Sequence, residues 1–235
     1  MPRAAVIIPT LNEAEAIAGV IAELPRDVAA EIIIADSGST DGTQEIAKAA
    51  GARVLALGVR GYGRACAAGA AAAGADCDII VFMDGDGADR GDLLARLTGP
   101  IESGAADFVI AARARHLRDP GSMSAHQIIA GHALGFAIGL LTGTRYSDMC
   151  AYRAIRRDAL EKLDMREMTY GWNIEMQMKA AKHRLRIREI PLPYRCRAGG
   201  TSKVAGSLKG TIRASWRIMT TFMRVALGSL SGRIC

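Results

Sequence analysis

Two carboxylates stand one residue apart where an apolar run ends, in Asp78-Ile79-Ile80-Val81-Phe82-Met83-Asp84-Gly85-Asp86. In an extended segment the side chains of residues i and i+2 point to the same side. Asp84 and Asp86 therefore converge on one point as the chain leaves the core. Oxygen ligands gathered there suit a hard divalent cation, Mg2+ or Mn2+, and such a cation suits a diphosphate. Asp-Gly pairs are also common turn formers. On the local sequence alone the metal reading and the turn reading weigh equally.

The elements that must position these carboxylates alternate along the first 110 residues. Apolar, β-branched runs predict strands over 4–9, 31–36, 53–57, 78–83 and 107–112. Between them the sequence predicts helices over 13–24, with Asn12 as its N-cap, over 41–50, ended by Gly51, over 64–73, ended by Gly74, and over 89–103. Strands alternating with helices predict an α/β fold with a mostly parallel sheet covered on both faces. Ligands of such sheets sit at the carboxyl ends of the strands. The polar residues fall there: Asn12 and Glu13 after the first strand, Asp36 and Ser37 after the second, Asp84-Gly85-Asp86 after the fourth and Arg113 after the fifth. From about residue 114 the alternation breaks. Helices are expected over 126–141, 159–165, 172–183 and 206–227, and strands over 148–155 and 186–194.

The 235 residues are enough for one large domain with a buried core. No stretch supplies about 20 consecutive apolar residues of the kind a spanning helix needs. The most apolar segment, 128–141, is interrupted by Gly131, His132, Gly135 and Gly139 and reads as a buried or interfacial helix. The chain enters a strand directly after Arg3, so no signal peptide is expected. The five cysteines (Cys66, Cys77, Cys150, Cys196 and Cys235) are odd in number and form no CxxC pair, which suits reduced thiols in a cytoplasm.

Charge is unevenly spread. Residues 1–100 hold 8 Lys/Arg and 14 Asp/Glu, whereas residues 101–235 hold 22 and 10, and no acidic residue follows Glu189. The cationic half implies an anionic partner: phosphates or an anionic membrane surface. Nucleic acid is disfavoured, because aromatic residues make up only 5% and no basic stretch is interleaved with stacking rings. From Leu208 the apolar positions Ile212, Trp216, Met219, Phe222 and Met223 recur at near-helical steps, with Lys209, Arg213, Arg217 and Arg224 on or beside the other flank. That pattern fits the membrane interface; a helix packed on the sheet with a solvated basic face fits it nearly as well.

Four segments, in order and spacing, resemble glycosyltransferase family 2, and within it the polyprenyl-phosphate (dolichyl-phosphate) hexosyltransferases. They are Pro9-Thr10-Leu11-Asn12-Glu13, Asp36-Ser37-Gly38-Ser39-Thr40-Asp41-Gly42-Thr43, Gly61-Tyr62-Gly63-Arg64-Ala65 and Asp84-Gly85-Asp86. They are similar to the family patterns P-x-x-N-E, D-x-G-S-x-D-G-T, G-x-G-x-A and D-x-D. The segment Arg197-Ala198-Gly199-Gly200-Thr201-Ser202-Lys203 looks like the subgroup's R-x-x-G-x-S-K.

The resemblance covers residues 4–205 and implies a GT-A nucleotide-diphospho-sugar transferase fold, with 206–235 as a basic amphipathic helix and tail. It implies an inverting, metal-dependent transferase. That enzyme moves a hexose from UDP- or GDP-hexose to an acceptor, a polyprenyl phosphate or other lipid. The expected location is the cytoplasm, with the basic amphipathic helix as the candidate for a peripheral contact on the inner face of the cytoplasmic membrane. The residues implied for the nucleotide sugar are Pro9, Leu11, Glu13, Asp36, Ser37, Tyr62, Asp84, Gly85, Asp86, Arg113, Arg197 and Lys203, with Asp84 and Asp86 holding the Mg2+ or Mn2+. Ala88 stands where the dolichyl-phosphate mannose enzymes often carry a Gln as a further ligand, leaving Asp89 or water to fill that place.

An ionised lipid phosphate needs no strong base. A neutral hydroxyl acceptor would, and the candidates are Glu175, in Tyr170-Gly171-Trp172-Asn173-Ile174-Glu175, and Asp148. Both also read as ordinary structural charges, on a helix face and at a cap or ion pair. Transfer to a soluble hydroxyl and sugar-nucleotide binding without transfer are the alternatives. A nucleotidylyltransferase would want a glycine- and arginine-rich loop where this chain has Thr10-Leu11-Asn12-Glu13.

Overall fold

The computed structural model describes residues 3–199 and 208–228. Seven strands form one sheet: β1 (Ala4–Thr10), β2 (Ala29–Asp36), β3 (Arg53–Ala56), β4 (Ile79–Phe82), β5 (Phe108–Ala112), β6 (Arg153–Arg156) and β7 (Ile187–Pro191). Among the described residues eight α-helices accompany them: α1 (Ile17–Glu23), α2 (Thr43–Ala49), α3 (Tyr62–Ala72), α4 (Leu94–Glu102), α5 (Ala125–Thr142), α6 (Arg157–Lys162), α7 (Trp172–Lys182) and α8 (Leu208–Leu227). The strand order is β3-β2-β1-β4-β6-β5-β7. All pairs are parallel except those of β6, which runs antiparallel between β4 and β5.

β4 is an unbroken apolar run because it is buried on both faces; Ile79, Ile80, Val81 and Phe82 are all inaccessible to solvent. It lies in register with β1, Ile7 opposite Phe82, while β2 lies on the other side of β1 with Ile33 opposite Ile7. The chain leaves β1 to one side for β2 and later returns to the other side for β4. That reversal opens a crevice at the carboxyl ends of β1 and β4, the place where open α/β sheets bind ligands. Glu13 follows one of these ends and Asp84 the other.

Several expected elements are shifted by tertiary bonds. Asn12 does not cap the first helix, which starts only at Ile17 with Ala16 as its N-cap. Asn12 is in the left-handed region (φ 54°), and its Oδ1 accepts the Thr40 N–H at 2.9 Å, tying the β1 loop to the β2 loop. The expected strand over 148–155 shrinks to Arg153–Arg156, because Asp148 is drawn aside by Arg113 and by the Met149 N–H. The expected helix over 89–103 begins later, with a short 3-10 turn at Gly91–Leu93, because Asp89 belongs to the crevice. α5 is bounded by a Ser124–Gln127 capping box and by Gly143 at φ 80°.

The expected outer helices also differ. Only Gly131, Gly135 and Ile138 of the 18 residues of α5 are buried, so the buried reading of this segment is corrected; by length and composition alone α5 is long and apolar enough to cross a membrane. α8 packs on α7 through Ala214, Thr221 and Val225. The apolar line of Ile212, Trp216, Met219 and Met223 points away from the protein. That outcome removes the reading in which this line packs on the sheet.

Candidate active site

Three carboxylates meet at the end of β4. Asp86 is 4% and Asp89 5% exposed, and the Asp84 N–H donates to Asp89 Oδ2 at 3.3 Å. Gly85 fits beneath them because a Cβ there would lie 3.1 Å from the Thr10 methyl and 3.2 Å from that of Ile8. Asp86 Oδ1 accepts the Ala88 N–H at 3.0 Å. Its Oδ2 accepts from Arg197 at 2.6 Å. The same guanidinium donates to both Glu13 oxygens, at 3.2 and 3.3 Å. Arg197 is carried there by a strap, since the Ala198 N–H donates to the Asp86 carbonyl and the Arg195 N–H to that of Ala88. The Nε of Arg197 is buried with no partner among the described residues.

Burial first, then the Asp86 charge, push the Asp84 carboxyl up to about 7, although Arg113 and Arg197 oppose them. Burial and the charges of Asp84 and Asp86 raise Asp89 well above the usual carboxylate range. The cluster is short of positive charge, and its donors are hard oxygens, so a divalent cation fits the donor set. Arg197 is the cation stand-in on Asp86. Among the described residues no group of three or more His, Cys, Asp or Glu side chains is gathered in metal-holding geometry. The acidic side chains gathered at the end of β4 are Asp84, Asp86 and Asp89.

The sign of the pH effect follows. The unfolded Asp84 carboxyl titrates near 3.8 and the folded one near 7, so the stability it contributes is full below the first value and is lost as pH rises through the second. In chelator, Asp84→Asn is expected to raise the Tm at pH 8 by several degrees more than at pH 5, read by scanning calorimetry.

The second arginine is held rigidly. Arg113 donates to Asp148 from its backbone N–H (2.9 Å), Nε (2.8 Å) and a terminal nitrogen (2.6 Å), and its guanidinium lies 5.0 Å from the centre of the Tyr194 ring. Burial raises Asp148, but the Arg113 bonds outweigh it and leave the carboxyl below its ordinary range. A carboxylate in that state takes up a proton poorly at neutral pH. Glu175, 1% exposed, accepts the Arg166 and Glu167 N–H groups at 3.0 and 2.7 Å and pairs with Lys179 at 3.1 Å and Arg224 at 3.5 Å. It anchors a loop and α8, and none of these partners touches the Asp84–Asp86–Asp89 cluster.

On the β2 side, Asp36 is wholly buried. Its oxygens accept from the Gly38 and Ser39 N–H groups, the Ser39 and Thr10 hydroxyls and Gln44. Burial raises this carboxyl and those bonds together lower it, so it stays ionised and shapes the loop. The Ser37 N–H donates to the Thr10 carbonyl. Pro9 lies in register with Ala35 on β2, and Leu11 follows β1, half-buried.

In the sequence, Gly61-Tyr62-Gly63 reads as a glycine loop that lets a ligand approach the backbone closely at a helix N-terminus, where anions are favoured; the structure corrects this. The helix N-terminus does not point free N–H groups at an anion, since those of Gly63 and Arg64 donate to the Thr169 and Met168 carbonyls. The glycines are required by that contact, for a Cβ on either would run into this backbone. Tyr62 reaches the site through a long bond, 3.5 Å, to Asp84 Oδ1. Lys203 lies outside the described residues. The structure thus gathers Glu13, Asp84, Asp86, Arg113 and Arg197 about one crevice. Tyr194, against Arg113, and Cys150, whose thiol faces Asp89 Oδ1 at 4.0 Å, had no local signal in the sequence.

Residues 5–164 match the family model described as Glycosyl transferase family 2. The chain belongs to glycosyltransferase family 2. An uncharacterised glycosyltransferase of Mycobacterium tuberculosis is 33% identical over 92% of this chain and 97% of its own length. The undecaprenyl-phosphate mannosyltransferase of Micrococcus luteus is 30% identical over 88% and 90%. A solved glucosyl-3-phosphoglycerate synthase of Mycobacterium tuberculosis, crystallised with Mn2+, UDP-glucose and phosphoglyceric acid, superposes with a TM-score of 0.75 at 25% identity, covering 96% of this chain and 80% of that one. The protein is therefore a glycosyltransferase of GT-A fold, similar to the polyprenyl-phosphate hexosyltransferases.

Proposed function

We propose that this family 2 glycosyltransferase moves a hexose, with inversion, from a nucleoside-diphosphate hexose to a lipid phosphate of the polyprenyl class. The observation that carries the acceptor class is the engagement of both candidate bases. Asp148 is held by Arg113, and Glu175 by two backbone N–H groups, Lys179 and Arg224. An acceptor that arrives ionised needs neither. The undecaprenyl-phosphate relative supports the same class.

Asp84 and Asp86 would hold Mg2+ or Mn2+. When bound, that ion supplies positive charge to the departing diphosphate. Arg113 and Arg197, with Lys203 proposed beside them, orient the phosphates and stabilise the charge that grows on them. The loop shaped by Asp36, with Ser37, Pro9 and Leu11, receives the nucleoside. Glu13 holds Arg197 in place until the phosphates take over its donors. Tyr62 steadies Asp84. The basic flank and outward apolar line of α8 support a peripheral position on the cytoplasmic membrane face, with 206–235 as the interfacial part.

Thermal-shift screening of UDP- and GDP-hexoses with and without Mn2+ or Mg2+ tests the donor half. The correct donor with metal is expected to raise the Tm by several degrees through mass action, and no shift with any nucleoside diphosphate would sink the reading. Transfer assays with a short-chain polyprenyl phosphate beside phosphoglycerate test the acceptor half, with product expected from the lipid phosphate alone.

A further inference from the structure

α5 carries a second outward apolar face. Ile129 is 68%, Phe136 50% and Leu140 73% exposed, and with Ala133 they lie on one side of the helix. The opposite side is fastened to the protein. Gly131, Gly135 and Ile138 are buried, and a Cβ on Gly135 would collide with the Tyr146 carbonyl. A helix seated this closely on a domain along one face can lie on a bilayer but cannot cross it alone.

The surroundings of that face select its partner. Between Asp119 and Asp148 the chain has no acidic residue; its basic side chains there are His126, His132 and Arg145. Arg145 is exposed and packs its guanidinium 5.5 Å from the centre of the Phe136 ring. This arrangement, an apolar body with a cation at its rim, places the ring among acyl chains and the charge among headgroup phosphates. α5 also packs against α7, the same helix that carries α8 with its own outward line of Ile212, Trp216, Met219 and Met223.

We propose that the α5 face of Ile129, Phe136 and Leu140, rimmed by Arg145, is a second contact surface for an anionic lipid bilayer, separate from α8. Two contacts fix orientation where one helix fixes only proximity. The inner side of α5 also lies near the residue that clamps Arg113, since a Cβ on Gly131 would stand 4.0 Å from Asp148 Oδ1. Docking through α5 therefore holds the crevice at a set height above the lipid. The purpose of this surface rests on the lipid-acceptor reading, but its existence is read without any transfer assay.

The test is co-sedimentation of the whole chain with phosphatidylglycerol vesicles and with phosphatidylcholine vesicles at low salt. The triple variant Ile129→Glu, Phe136→Glu, Leu140→Glu is compared with Trp216→Glu and with wild type. The expected result is that wild type prefers the anionic vesicles and that the triple variant loses affinity by about tenfold or more. Trp216→Glu is expected to lose a separate share. Wild-type vesicle binding by the triple variant overturns the proposal. So does a wild-type dimer that the triple variant converts to monomer at unchanged vesicle affinity, which would make the face a self-association surface. A retained donor-induced Tm shift in the triple variant shows that its fold and crevice are intact. An absent shift in wild type strikes the transferase reading and leaves this one standing.

Discussion

Asp86→Asn is expected to lower kcat/KM for sugar transfer about a thousandfold, the scale on which one preorganised electrostatic contact to a developing charge is lost. The substitution keeps size and shape but removes the negative charge. Asp86 Oδ1 receives the Ala88 N–H, and Oδ2 faces Arg197 at 2.6 Å. An amide oxygen at Oδ1 keeps the first bond, while an NH2 at Oδ2 turns a donor against a donor. Arg197 retains Glu13 as a partner, so the crevice changes its charge without losing its strap. The check pairs steady-state transfer kinetics with a melting curve. A Tm near that of wild type with a thousandfold loss locates the effect in the chemistry. Transfer at wild-type rate with Mn2+ or Mg2+ present would falsify the role given to this carboxylate.

Arg113→Met is expected to cost about 3 kcal/mol of stability, because it leaves Asp148 buried and ionised without its cation. The Arg113 side chain is 17% and the Asp148 side chain 11% exposed, so water does little to replace the lost partner. The double variant Arg113→Met, Asp148→Asn is expected to recover most of that loss, since no charge is then stranded. Donor affinity is not expected to recover with it, for the phosphate-side cation is still missing. Urea denaturation of the four proteins of the cycle, beside titration with UDP- and GDP-hexoses, separates the two effects. Equal recovery of stability and donor binding in the double variant would make Arg113 a packing residue only.

These expectations draw unequally on sequence and structure. The apolar runs before Glu13, Asp36, Asp84 and Arg113 were legible as strands because each is buried on both faces and reads as continuous β-branched sequence. Their carboxyl ends are legible from the sequence as the place of a candidate site. The helix starts were less legible. Asn12 has the right residue type for an N-cap, yet the Thr40 N–H competes for the same oxygen, and that contact joins residues 28 apart. The glycines at 61 and 63 signalled close approach correctly, but what approaches is the backbone of Glu167 and Met168. No local pattern distinguishes that from an anion.

By itself the sequence determined the α/β class, the family and the line of polar residues at the strand ends, because these follow from short-range periodicity and from motifs a few residues long. Only the tertiary structure decided what each polar group faces. Arg197 meets Asp86 across 111 residues, and Arg113 meets Asp148 across 35. The second pairing engages one candidate base, Asp148, and the first sets a single paired arginine among the three carboxylates Asp84, Asp86 and Asp89. Both pairings arise from packing strands in an order that differs from their order in the chain. The same packing turned the apolar sides of α5 and α8 outward, because one face of each helix was already taken by the protein. The opening Asp84–Asp86 pair thus owed its place to the sequence and its charge state to the fold.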